Sequence, residues 1–222
     1  MTIKMLVQRS LLAGALGLCV TVPAQAGTLI GTGYAIGSQT FGLSTGQTVG
    51  AGGFVGTWNG DPLQFWCAEL GQSFGFNHTY TYTASIPYNA TFTMLGELFH
   101  EAYAGALSDA THSAAFQLAI WEILYDGDVD LSAGTFRVTN AGTHQATVDL
   151  AQGWLNNLGK YTDNYQITLL SNRDHQDFIT GTPPRDCCRQ EAPEPASLAL
   201  LGAGLAAMIV ASRRRTRKAP DA

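Results

Sequence analysis

The chain has 222 residues, with 17 acidic against 12 basic side chains and a formal net charge of −5. That balance lacks the cation excess a phosphate backbone demands, so no nucleic acid is expected as a partner. Four cysteines are too few for a small disulfide-stapled scaffold, and the length allows a single domain with a real core.

Lys4 and Arg9 precede an apolar run from Leu11 to Val22, and Pro23-Ala24-Gln25-Ala26 ends it with small residues at signal-peptidase spacing. Residues 1–26 are expected to be a signal peptide, cut by signal peptidase between Ala26 and Gly27 and carrying Cys19 away. Residues 27–182 form the body and 183–192 a linker. Between the two ends only Arg137, Lys160, Arg173, Arg185 and Arg189 are basic, so the body is more acidic than the whole chain.

From Gly27 to Ser85 short apolar pieces alternate with Gly and Thr. Strands are predicted over Thr28 to Ile36, Phe41 to Leu43, Gly53 to Trp58, Leu63 to Leu70 and Thr79 to Ala84. Asn59-Gly60-Asp61-Pro62 predicts a turn. The many glycines have no phosphate-loop spacing and no following helix, which excludes a nucleotide site. Helices are predicted from about Thr93 to Gly105, from a cap at Ser108 or Asp109 to Tyr125, and from about Thr143 to Leu158. Tyr165 to Leu169 reads as a closing strand. The fold class expected is α+β: a β-rich N-terminal half, two or three helices and a closing strand, in a single domain with a C-terminal transmembrane sorting helix.

The tail is tripartite. Pro193-Glu194-Pro195 is followed by the apolar run Ala196 to Ser212, and then by the basic stop Arg213, Arg214, Arg215, Arg217 and Lys218. The run is at the short edge of what spans a bilayer, and the charges behind it belong on the cytoplasmic side. Residues 193–218 resemble the PEP-CTERM sorting signal of Gram-negative bacteria. The resemblance implies an exosortase partner, a precursor in the inner membrane spanning 196–212, and delivery to the cell surface or the exopolysaccharide matrix.

Two segments of the body carry a possible chemistry. Phe65-Trp66-Cys67-Ala68-Glu69-Leu70 ends a predicted strand with a lone cysteine. Phe116-Gln117-Leu118-Ala119-Ile120-Trp121-Glu122-Ile123 lies on the second predicted helix. Together they resemble the bacterial surface thioester domain, in which a strand cysteine is joined to the glutamine of a Thr-Gln-x-Ala-Ile-Trp helix. The resemblance implies a Cys67–Gln117 cross-link and an adhesin that captures an amine on a surface molecule. Phe116 stands where the family has Thr, and Trp66 where Tyr is usual. Trp66, Phe116 and Trp121 are the side chains expected to keep water from such a bond, and His112 is considered as a base. The residues alone leave a second reading open, with Cys67 as core and Gln117 bonded to backbone.

Neither a catalytic residue nor a metal or cofactor is expected. Body serines lack a nucleophile elbow. Asp126, Asp128 and Asp130 alternate like a calcium loop, but Leu131 stands where glycine is required. Cys187 and Cys188 are free to pair with each other, with another chain, or with Cys67. The function expected is that of a non-enzymatic surface or matrix protein acting as a covalent adhesin. The alternative is a reversible polysaccharide-binding or polysaccharide-modifying matrix module that stacks sugars on Trp58, Tyr80 and Tyr82.

Overall fold

The computed structural model describes residues 24–184, apart from 128 and 163. Its first half contains β1 (Gln25–Tyr34), β2 (Gln39–Leu43), β3 (Thr48–Ala51), β4 (Phe54–Trp58), β5 (Asp61–Cys67) and β6 (Tyr80–Ser85). Then follow α1 (Ala90–Ala106), α2 (Ala110–Tyr125), β7 (Val138–Asn140), α3 (Gln145–Leu155), β8 (Gln166–Ser171) and β9 (Phe178–Thr182).

Six strands close into a barrel in the order β1-β4-β5-β9-β8-β6, and β3-β2-β7 form a separate three-stranded sheet. All pairs are antiparallel. The β4–β5 hairpin turns on Asn59 (φ 53°) and Gly60 (φ 94°), with Trp58 paired to Asp61. Two left-handed residues match the strand twist, which is why Asn-Gly suits this turn. Closure leaves the barrel without a free edge.

Register fixes which side chains face inward. Phe54 pairs with Phe65, Cys67 with Phe178, and Leu29 with both Trp58 and Tyr80. The Phe178 ring is met by Phe65 and Phe74 at 4.9 Å and by Phe54 and Tyr82 at 5.8 Å. These aromatic contacts fill the barrel as a packed core. On the opposite side of β5, Trp66 faces the helices and meets Phe116 at 5.1 Å and Phe99 at 5.7 Å.

Helix α1 is capped by Asn89 and α2 by Asp109, each side chain accepting a backbone N–H three residues on. Helix α2 is buried without a break from Ser113 to Ile123, as befits a helix surrounded by protein.

The sequence expectation is corrected on two counts. The β structure does not end with one closing strand: β8 and β9 both enter the barrel, β9 between β5 and β8, and β3 and β7 were not anticipated at all. Secondly, the expected transmembrane sorting helix, and with it the membrane keywords and the inner-membrane precursor, finds no support. Among the described residues no helix is long and apolar enough to cross a membrane. The longest of them, α1, has 17 residues and packs one face into the core, whereas a span takes about 20 apolar residues. The run 196–212 lies outside the described residues. Strand β1 begins at Gln25, and Gln25 and Ala26 pair with Ala84 and Thr83, so the cut expected after Ala26 would shorten this strand by its first two residues.

Candidate functional site

Strand β5 delivers Cys67 as its last residue, and α2 delivers Gln117 at its centre. Fifty residues apart in sequence, they are in direct contact. The Cys67 N–H donates to Gln117 Oε1 at 3.0 Å, and Gln117 Nε2 donates to the Cys67 carbonyl at 2.8 Å. Gln117 is fully buried and Cys67 is 2% exposed. The amide thus satisfies two backbone groups where β5 leaves the ladder, a demand that burial makes strict.

Gln117 belongs to a stripe. Ser113, Gln117 and Trp121 follow at four-residue spacing, which places them along one face of α2. Ser113 Oγ accepts the Gly53 N–H at 2.8 Å. A side chain at Gly53 would collide with the Trp66 indole, since its Cβ would lie 2.8 Å from the ring; this glycine permits the close approach. Ser113 was not singled out from the sequence, although its offset from Gln117 was the available signal.

The Cys67 thiol donates to the Glu69 carbonyl at 2.7 Å, and Gln176 Nε2 donates to the same oxygen at 2.8 Å. Burial pushes the Cys67 thiol up to about 12. The Trp121 indole acts in the other direction: it lies near the sulfur and favours the thiolate, although its N–H meets no partner in hydrogen-bond geometry. Cys67 is a free, buried cysteine in this structure, and the Gln117 amide lies on its backbone.

Cys67 and Trp121 also line a cavity of about 460 Å³. The inward-facing Phe54 is part of its wall, which puts it at one end of the barrel. Tyr34, Phe74 and Phe76 add aromatic surface, while Gln47, Gln72 and Gln176 add amides.

Other sequence candidates are placed elsewhere. His112 closes onto its helix cap, with Nδ1 2.9 Å from both Asp109 carboxylate oxygens, and its ring leans on Trp154. Asp126 Oδ2 accepts the Phe136 N–H at 2.9 Å, and Asp130 Oδ1 accepts from Ser132; Asp128 lies outside the described residues. Among the described residues no group of three His, Cys, Asp or Glu could hold a metal ion. Tyr82 is 1% exposed, and register sets Trp58 and Tyr80 on the same inward side, so these three form no outward stacking surface. The Trp58 ring lies over Gly27 instead. Cys187, Cys188, Pro193, Glu194, Pro195, Arg213, Arg214, Arg215, Arg217 and Lys218 all lie outside the described residues.

Among solved structures, the N-terminal domain of the Streptococcus pyogenes pilus tip adhesin Cpa is distantly similar: 13% identity, 68% of this chain and 94% of that chain covered, TM-score 0.42. At this level the likeness assigns neither activity nor mechanism. No curated protein matches the chain. Residues 191–215 match the PEP-CTERM protein-sorting motif, and the protein is accordingly an exported, surface-associated one that carries this motif.

Proposed function

We propose that the protein is a surface adhesin that captures its partner covalently through an internal thioester between Cys67 and Gln117. The observation behind this reading is the contact of the two residues, both buried, at the junction of β5 and α2. In the bond-forming step Cys67 Sγ bonds to Gln117 Cδ and the Cδ–Nε2 bond breaks. The amide nitrogen leaves with the thiol proton as ammonia. The Cys67 N–H, 3.0 Å from Gln117 Oε1, is placed to stabilise the oxyanion of the tetrahedral intermediate. Trp66, Phe116 and Trp121, all at most 2% exposed, crowd the pair and limit the water that reaches the product. An amine on a surface or exopolysaccharide molecule then bonds to Cδ, the C–S bond breaks, and the proton returns to sulfur. Signal peptidase cuts at the N-terminus in this reading, and exosortase recognises Pro193, Glu194 and Pro195 with the basic stop behind them.

Intact mass spectrometry tests the bond. The purified chain is expected to be one ammonia lighter than its sequence, and methylamine should add at Gln117 and expose a thiol at Cys67. Cys67→Ala and Gln117→Ala should each abolish both signals. A full-mass chain with an unmodified Gln117 would refute the proposal and leave Gln117 as a backbone clamp.

A further inference from the structure

The cavity at the barrel end has a lining that selects its ligand by chemistry. None of its lining residues is Asp, Glu, Lys, Arg or His. A charged ligand would give up hydration there and meet no counter-charge in the lining. The cavity is nevertheless not apolar. Trp121 lines it at 2% exposure, and its indole N–H is a buried donor without a partner. Gln72 Oε1, in the same wall, is a buried acceptor without a partner. Proteins leave few buried polar atoms unpaired, and a purely apolar ligand would keep both that way.

One chemical group answers both atoms. A hydroxyl accepts from an indole N–H and donates to an amide oxygen at the same time. At the rim, Tyr34 stacks on Phe54 at 5.0 Å and meets Phe76 edge-on at 5.8 Å. Tyr34 is 36% exposed, so aromatic surface is presented to an entering molecule. A ligand with hydroxyls, no charge and an apolar C–H face satisfies all three conditions. The volume of about 460 Å³ falls within the usual range of small-molecule sites, about 300–1,000 Å³.

We propose that this cavity binds a neutral carbohydrate unit, stacked on Tyr34 and Phe76, with one hydroxyl shared between Trp121 Nε1 and Gln72 Oε1. The site stands on the cavity's own residues and goes beyond the thioester reading: it binds reversibly whether or not Cys67 and Gln117 are joined.

The test titrates the purified full-length chain with cellobiose and with chitobiose, read by tryptophan fluorescence and by saturation-transfer NMR. A saturable response to at least one disaccharide is expected, with saturation reaching the ring protons. Gln72→Ala and Trp121→Phe should each weaken it about fivefold to tenfold, the worth of one neutral hydrogen bond. A uronate-containing disaccharide should bind more weakly than either neutral one. The proposal is overturned if neither neutral sugar gives a saturable response, if Gln72→Ala binds like the wild type, or if the uronate binds as tightly. Should the buried Trp121→Phe variant fail to fold, Gln72→Ala on its partly exposed segment decides alone. The intact mass of the same sample reports the thioester independently, so the two proposals fail separately.

Discussion

Phe178 and Gln117 are both fully buried, yet they occupy their sites for opposite reasons. Phe178 sits among Phe65, Phe74, Phe54 and Tyr82, in a barrel interior where shape and apolar area are what count. Gln117 sits where a strand leaves its ladder, with Ser113 one turn before it and Trp121 one turn after. The barrel interior tolerates only volume. The junction needs hydrogen-bond partners at fixed places, and so polar side chains are retained in the most deeply buried helix of the protein.

The largest effect should come from the barrel. Phe178→Ala removes the ring at its centre and is expected to destabilise the protein by about 3–5 kcal/mol, read from urea unfolding. A loss below about 1 kcal/mol would mean that the barrel collapses onto the gap, and the contrast in packing would weaken.

Next comes the clamp. Gln117→Ala leaves the Cys67 N–H and C=O buried without partners and should cost about 2–4 kcal/mol. Cys67→Ala keeps both of those backbone bonds and should cost distinctly less. Equal losses for the two variants would instead point to a side-chain bond that either change destroys.

The smallest effect is visible only in alkali. Burial holds the Cys67 thiol up at about 12, against an ordinary 9.0. Because the folded value is raised, its contribution is intact below pH 9.0 and is lost as pH rises toward 12. At about pH 10 the free-thiol protein should already be less stable than at neutral pH, by about 1 kcal/mol. Cys67→Ala should remove that component from the stability profile. The Tyr82 phenol is also held up, chiefly by burial, so a residual decline at higher pH should persist in the variant. A chain in which Cys67 is already bonded to Gln117 should show no thiol component at all.

Local chemistry was legible in the sequence. The Asn59-Gly60 turn, the Tyr80/Tyr82 alternation, a cap at Ser108 or Asp109 and the span of α2 to Tyr125 each follow from a few adjacent residues, and each is found in the structure, with Asp109 as the cap. The Cys67–Gln117 contact was suggested by motif alone. That Gln117 bonds to backbone was the second reading of the residues and is found in the structure; which backbone groups it takes, the Cys67 N–H and C=O, was not readable, because partners across fifty residues depend on where β5 ends.

Four features were decided only in three dimensions. Strand β9 is a short run after a loop, and closes the barrel by pairing with β5 more than a hundred residues before it. Strands β3 and β7 are four and three residues long, too short for periodicity to register. The alternative reading used Trp58, Tyr80 and Tyr82 as an exposed stacking surface, whereas register sets all three on the inward side. The cavity draws its wall from β1, β3, β4, β5, α2 and the loops beside β6 and β9, so no stretch of sequence contains it. Propensities, caps and turns act within a few residues and are therefore written locally, whereas closure, facing and cavities arise from contacts between distant segments, which only the folded chain brings together.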